Sequence, residues 1–324
     1  MRVGIACGGY SSEAEISKKS AAVVFEHLHN NGIEVYYLFI SSSAWTVGDA
    51  SGAKMPFDTA SFQWKDGDKL KHFDVIFNAV HGPPGEDGDL AKKLAQLGLP
   101  HTSCGPDAAA LTYNKINCLK AAKELGIPTA KSVTLTTPKA TVMDRIVAEI
   151  GFPCFVKANQ AGSSYGVYRV GAAAELPSAI AGALEEDQQV LVEQALIGRE
   201  CSVGVVQLLD KVEVLPITEI KTAEAFFTYQ AKYEGKAEEI TPAEFTPEVT
   251  KTLSQHALLL FKALKLEGVV RIDFIVVDNI PFLLEINSVP GLTAASIIPQ
   301  QWGCTQRPLF ELFHGMLQTG LNQK

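Results

Sequence analysis

The sequence predicts a protein of mixed class, α/β in its first third and α+β in the remainder. Short apolar runs alternate with helix-like stretches over the first hundred residues, the order that gives a parallel sheet with helices outside it. From Gly105 onward, helices alternate with strand pairs joined by short turns, which suits an α+β arrangement. The chain has 324 residues, 47% of them hydrophobic and 20% charged, which is enough for two or three packed units of an ordinary globular protein.

Arg2–Cys7 is the first strand. "SSEAEISKKSAAVVFEHLHNNG" then reads as a helix, with Ser12 and Glu15 as a capping box and Gly32 as its stop. "IEVYYLFI" is a second strand and "FDVIFNAV" a buried one. The loop "HGPPGEDG" follows, and then a helix over Asp89–Leu97. Parallel α/β sheets place function at the carboxyl ends of their strands, where Glu13 and His81 fall. A second unit begins with the helix "AALTYNKINCLKAAKELG", closed by Gly126 with Pro128 beyond it. "PCFVKANQAGSSYGVYRV" reads as two strands around a glycine–serine loop, "AAELPSAIAGALEED" as a helix and "QVLVEQ" as a strand. Two long strands follow, "ECSVGVVQLL" and "KVEVLPITEI", then a polar aromatic loop over Lys221–Lys236. The helix "TPEVTKTLSQHALLLFKALKLEG" leads to "VVRIDFIVV", a turn at Asp278-Asn279 and the strand "PFLLEIN". The expected units are 1–104, 105–200 and 201–324.

The net charge of -8 argues against bulk nucleic-acid binding and leaves room for a local basic pocket. No apolar run approaches the roughly 18 residues of a membrane span. The opening "MRVGIACGGYSSE" reaches Gly-Gly too early for a signal peptide. Six scattered cysteines, several in apolar segments, fit reduced core thiols in the cytoplasm.

Candidate chemistry concentrates near the C-terminal hairpin. Residues two apart on a strand share a face, so Arg271 and Asp273 point one way, as do Glu285 and Asn287. The Asp278-Asn279 turn would set the two pairs side by side. Asp, Glu and Asn are hard oxygen donors suited to Mg²⁺ on nucleotide phosphates, and Arg271 adds a fixed positive charge. The alternative is a cross-strand salt bridge on a wet face, which the apolar flanks "FIVV" and "PFLL" disfavour. "NQAGSSYG" after Lys157 is either a phosphate cradle or a plain hairpin turn. With no GxxxxGK[ST] and no GxGxxG, a P-loop and a nicotinamide site are not expected. His81 could steer a small polar substrate, while Glu86 and Asp87 could cap the next helix. Glu13 could complement its helix dipole or hold a substrate ammonium group.

In order along nearly the whole chain, "GGYSSEAEIS", "FNAVHGPPGEDG", "VKANQAGSSYGV", "YQAKY", "RIDF" and "EINSVPGLTAASIIP" resemble signature stretches of the D-alanine–D-alanine ligase family. That family lies within the ATP-grasp superfamily. The resemblance implies an ATP-grasp fold behind an N-terminal, Rossmann-like substrate domain. It implies amide formation in two steps: ATP phosphorylates one D-alanine carboxylate, and a second D-alanine amine displaces the phosphate. It implies ATP and two Mg²⁺ ions, with Mn²⁺ able to substitute, and a cytoplasmic role in peptidoglycan precursor synthesis. Neither nucleic acid nor membrane is an implied partner, and family members are often homodimers.

By the same resemblance, Lys115 and Lys157 contact ATP phosphates. Glu193, Gln194, Ala195 and Leu196 line the adenine slot, and Glu200 binds the ribose. Asp273, Glu285 and Asn287 hold the metal ions. Lys232 reaches the γ-phosphate from a mobile loop. Glu13 binds the first D-alanine ammonium with His81 beside it, and Ser163 and Tyr233 join Glu13 in closing the loop. Arg271 and the Gly291 N–H stabilise the oxyanion, while Ser296 and Ile297 grip the second D-alanine. The chain departs from the family at Ala158, usually proline, at Tyr113-Asn114 before Lys115, and in "FFTYQAKY", which lacks an early tyrosine and acid. None of these removes a proposed ligand; they bear on how the loop closes. A same-fold ligase using D-lactate or D-serine is the nearer alternative, and Tyr233 favours an amino-acid acceptor. A non-catalytic nucleotide-binding protein is the other, and it needs a broken metal set or a missing loop lysine, neither of which is seen.

Overall fold

The computed structural model describes residues 1–137, 139–162, 165–222 and 237–322. The expectations for Ser163, Lys232 and Tyr233 lie outside the described residues. The first sheet contains β1 (Arg2–Gly8), β2 (Glu34–Ile40), β3 (Thr46–Gly48), β4 (Lys54–Asp58), β5 (Gln63–Asp66), β6 (Lys69–His72) and β7 (Val75–Asn78), in the order β6-β5-β4-β3-β2-β1-β7. Only β2, β1 and β7 are parallel; from β3 onward the pairing is antiparallel. The expectation of a parallel sheet therefore holds only for the β2-β1-β7 end. The extension over residues 46–72 consists of strands of three to five residues joined by tight turns. Connections that short can join only antiparallel neighbours.

Between β1 and β2 runs α1 (Ala14–Asn30), and after β7 comes α2 (Asp89–Gln96). The capping box does not form, because α1 starts at Ala14, one residue later than an N-cap at Ser12 requires. Glu13 is the N-cap and makes no side-chain cap bond; its own N–H donates to Ser11 Oγ at 3.2 Å. Glu15 pairs instead with Lys18 at 2.6 Å.

The helix expected after Gly105 is two helices, α3 (Pro106–Tyr113) and α4 (Lys115–Glu124). Asn114 breaks them with an extended backbone (φ -86, ψ 100), and its side chain accepts from Asn117 N–H at 3.0 Å. Asparagine is among the preferred N-caps, so the break starts a new helix at Lys115. The second sheet contains β8 (Ser132–Leu135), β9 (Cys154–Ala158), β10 (Val167–Val170) and β11 (Val190–Gln194), ordered β10-β9-β11-β8. It is covered by α5 (Ala140–Arg145), which runs on as a π-helical turn over Ile146–Ile150, and by α6 (Leu176–Glu186).

The third sheet contains β12 (Arg199–Leu208), β13 (Lys211–Val214), β14 (Thr218–Thr222), β15 (Ala237–Ile240), β16 (Val269–Val277) and β17 (Ile280–Asn287). Its order is β15-β14-β12-β16-β17, with β13 also on β12. The single strand expected at "KVEVLPITEI" is split into β13 and β14 around Pro216, which has no N–H for the ladder. The two halves pair with different parts of β12. Both Asp278 and Asn279 have positive φ, at 48° and 64°, as a two-residue hairpin turn of this hand requires. Among the described residues, three further α-helices are α7 (Pro247–Ala263), α8 (Ile297–Gly303) and α9 (Leu309–Asn322).

Packing ties together elements from different stretches of the chain. Ala108, Cys118, Leu119 and Ala122 of α3 and α4 share a core with Val203, Ile272, Phe274 and Leu283 of the third sheet. Within residues 105–200, α3 and α4 therefore lie on the third sheet, whereas α5 and α6 pack on the second. Likewise α9 crosses back, burying Leu312, Phe313, Met316 and Leu317 in one core with Val3, Ile5 and Phe77 of the first sheet.

Candidate active site

A cavity of about 410 Å³ opens where the carboxyl ends of β1 and β7 meet the end of β17. Glu13 and His81 line it from the first sheet, and Lys115 lines it from the start of α4. Ala161 and Gly162 reach it from the loop after β9. Arg271, Glu285, Asn287, Gly291, Ser296 and Ile297 complete it from the third. Glu13 is buried, at 9% exposure, and Gly162 passes so close that a Cβ there would overlap Glu13 Oε2. Lys115 donates from Nζ to Ala161 O at 2.6 Å, which ties the α4 start to that loop. Gly291 is held near Ser296, where an added Cβ would sit 2.8 Å from Ser296 Oγ.

The hairpin register puts Arg271 opposite Asn287 and Asp273 opposite Glu285, with an irregularity after Asp273. All four side chains thus share one face. Asp273 is the most enclosed of them at 6% exposure. It accepts from Arg271 at 2.9 and 2.8 Å, from Ser202 Oγ at 2.6 Å and from Asn287 Nδ2 at 3.1 Å. Ser202 lies opposite Asp273 across β12 and β16. No sequence signal marks Ser202, because only the register brings it there.

The donor set fits a divalent cation: two carboxylates, Asp273 and Glu285, and the amide of Asn287, whose Nδ2 donates to Asp273. These are the hard oxygens that Mg²⁺ takes. An ion using Asp273 would share it with Arg271.

His81 is buried at 5% exposure and engages protein with both ring nitrogens. Nδ1 lies 2.9 Å from Val289 O and Nε2 3.1 Å from Ser20 Oγ. Glu86 Oε1 is 3.9 Å from Nδ1. Burial raises the Glu86 pKa, and the nearby charges of Glu13 and Glu285 add to that rise against the lowering effect of His81. So Glu86 faces the site, where the sequence reading offered a helix-capping role. Glu239 was also missed. It lines the cavity from β15, accepts from Gln300 Nε2 at 2.7 Å, and has its pKa raised by burial. Nothing in its polar local sequence distinguishes it from a surface acid.

The other predicted residues gather along the second sheet and its exit. Lys157 Nζ pairs with Glu193 Oε2 at 2.6 Å. Burial opposes the Lys157 charge, yet its pKa is raised, by Glu193 and then by Glu285 and Glu200. The charges of Glu285 and Glu200, both on the third sheet, thus reach Lys157 on the second. Gln194 and Ala195 donate backbone N–H to Lys131 O at 2.9 Å and Pro153 O at 3.2 Å, and Leu196 is half-buried beside them. Glu200 sits on β12 opposite Ile220 and Ile275. None of these residues lines the cavity described above.

An acid–amide hairpin on the third sheet, facing a second sheet that presents a paired lysine, defines an enzyme of the ATP-grasp class. Residues 2–104 match the family model described as D-ala D-ala ligase N-terminus, and residues 121–316 match D-ala D-ala ligase C-terminus. The chain belongs to the D-alanine–D-alanine ligase family and is a ligase. It is 42% identical over 320 residues to the D-alanine–D-alanine ligase of Flavobacterium johnsoniae, covering 98% of this chain and 99% of that one. D-alanyl-alanine synthetase A from Vibrio cholerae superposes with a TM-score of 0.88 at 29% identity, covering 99% of this chain and 98% of that one. The D-alanine–D-alanine ligase from Bacillus anthracis complexed with ATP superposes with a TM-score of 0.79 at 25% identity, covering 99% and 97%.

Proposed function

We propose that this protein joins two D-alanine molecules to D-alanyl-D-alanine at the expense of ATP, for peptidoglycan precursor synthesis. The observation that carries this reading is the hairpin register, which sets Arg271, Asp273, Glu285 and Asn287 on one face beside the buried Glu13. Glu13 takes the ammonium of the first D-alanine by a charge-assisted hydrogen bond. The carboxylate of that D-alanine attacks the γ-phosphorus, ADP leaves, and an acyl phosphate remains. The amine of the second D-alanine attacks the acyl carbon, phosphate departs, and the nitrogen loses a proton. Arg271 and the Gly291 N–H face the oxygen that becomes negative in that step. Ser296 and Ile297 hold the second D-alanine, with Gly291 packed against Ser296.

The nucleotide lies between the second and third sheets in this reading. Lys115 and Lys157 meet the phosphates, Glu193 to Leu196 line the adenine slot, and Glu200 takes the ribose. Phosphate and Glu193 then compete for the Lys157 ammonium. Asp273, Glu285 and Asn287 would hold two Mg²⁺, or Mn²⁺ in their place. When bound, such ions neutralise charge on the transferred phosphoryl group. Lys232, Ser163 and Tyr233 are proposed to close the site and exclude water. His81 walls the first-substrate end, with its nitrogens committed to protein.

The cytoplasm suits the thiols. Cys7, Cys104 and Cys118 are buried with pKa values pushed up to about 12, so they are poor thiolates. Homodimer formation is proposed from the family and is read by light scattering. The deciding assay is phosphate release from ATP with D-alanine, L-alanine, D-serine and D-lactate, offered singly and in pairs. Release and dipeptide formation with D-alanine alone support the proposal. A requirement for D-lactate or D-serine would move it to the neighbouring specificity, and no release with any acceptor would reduce it to nucleotide binding.

A further inference from the structure

The turn after β17 carries Gly291, and its two flanks are fastened to the N-terminal half of the chain by one short hydrogen-bond chain. His81 Nδ1 lies 2.9 Å from Val289 O, which can only accept, so Nδ1 carries the hydrogen. In the neutral ring Nε2 is then an acceptor, and Ser20 Oγ, 3.1 Å away, donates to it. The same Ser20 oxygen accepts from Leu292 N–H at 3.1 Å. The relay therefore runs Leu292 N–H to Ser20, Ser20 O–H to His81, and His81 N–H to Val289 O, with every donor matched to an acceptor. It is dry: Ser20 is 0% exposed, His81 5%, Val289 4% and Leu292 2%. Between the fastened residues lie only Pro290, which has no N–H, and Gly291. Among the described residues, nothing accepts from the Gly291 N–H.

We propose that Ser20 and His81 are a positioning pair that fixes the Val289–Leu292 turn and so aims the Gly291 N–H at the reacting carbonyl. The proposal rests on the reading of Gly291 as an oxyanion donor. It assigns His81 a task different from substrate binding, which the geometry explains, since neither ring nitrogen is left for a substrate. It also brings in Ser20, which sits mid-helix on α1 and does not line the cavity.

Ser20→Ala removes one oxygen from the relay and touches no substrate. A displaced catalytic group of this kind costs about a hundredfold in rate for an error of about 1 Å. The expected result is a fall in kcat of roughly ten- to a hundredfold, with KM for ATP and for the first D-alanine within a factor of about two of the parent. His81→Asn keeps an N–H near the Nδ1 position for Val289 and loses the Ser20 link, so it should lower kcat by a similar factor. Because both changes cut one relay, the double variant should be no worse than the poorer single variant. All assays are run well below each variant's thermal midpoint, so a loss of folded protein is separated from a loss of rate. An unchanged kcat in Ser20→Ala overturns the proposal. So does a loss confined to KM for the first D-alanine, or a double variant whose loss is the product of the single losses. If the parent protein forms no dipeptide, the functional reading has failed. If the parent forms it and Ser20→Ala matches it, only the positioning pair has failed.

Discussion

Gly162 shows how a residue without a side chain can decide a substrate site. Its Cα lies where any Cβ would overlap Glu13 Oε2, so the loop after β9 closes over the carboxylate only as glycine. Gly162→Ala should displace Glu13 and so weaken the hold on a substrate ammonium that is proposed for it. Such a charged hydrogen bond is worth roughly 1.5–3 kcal/mol, or about ten- to a hundredfold in affinity. KM for the first D-alanine should rise by that factor while KM for ATP stays near the parent value, and equal rises in both would show a general loop defect. Glu285→Gln probes the other pole of the site. It should cut turnover at least about a hundredfold with an unchanged circular-dichroism melt, and near-parental turnover at limiting Mg²⁺ would remove Glu285 from the metal set. The spacing of Arg271, Asp273, Glu285 and Asn287 was legible in the sequence because strand periodicity is local. Ser202, Ser20 and Glu239 were not legible. Each acquires its partner from an element many residues away, and no local pattern encodes that approach.

At the scale of elements, the local rules that failed did so where tertiary contacts or proline intervened. An unbroken helical pattern hid the stop at Asn114, which the loop at Asn159 stabilises by accepting from Lys115 and Ile116 N–H. A continuous β pattern hid the split at Pro216. The pairing of β12 with β14 carries its own lock. Arg199 forms two bonds of 2.7 Å to Glu219, and its guanidinium lies 4.0 Å from the Phe245 ring centre. The hydrogen bond from Arg199, helped by its charge and opposed by burial, holds the Glu219 pKa below the ordinary carboxylate range. A carboxylate with a depressed folded pKa stabilises the fold above its unfolded pKa and loses that contribution as pH falls through the folded one. Glu219→Gln should therefore cost about 1 kcal/mol at neutral pH, discounted from a fully buried pair because Arg199 is 45% exposed. The gap between parent and variant in urea midpoint should shrink on acidification below the usual carboxylate range. A gap that persists in acid would assign the cost to packing.

Across the whole molecule, the cores divide differently from the sheets. Val3, Ile5 and Phe77 of the first sheet share one core with Val206 and Val269 of the third, joined by Trp302 and Phe313. Those two sheets should therefore unfold as one unit. The second sheet keeps a core of its own, drawn entirely from residues between Val133 and Val192. Its strand β11 shows the separation in three residues: Val190 and Val192 face the private core, while Leu191 points the other way into the core shared by α4 and the third sheet. A layer held through one strand face and its loops is the part free to open, and it carries Lys157 and Glu193, which are proposed to meet the nucleotide. Sequence order could not reveal this, because hydrophobic periodicity says which face is buried and not which neighbour buries it. Native-state hydrogen exchange should find amides of β9, β10 and β11 opening at lower free energy than those of β1, β7, β12 and β16. Nucleotide at about 100 times its dissociation constant adds about 2.7 kcal/mol against any opening that releases it. That increment should appear in the second sheet and leave local fraying of β3 to β6 untouched. Equal opening energies in all three sheets, or nucleotide protection spread evenly over them, would show that the second sheet does not move as a separate layer.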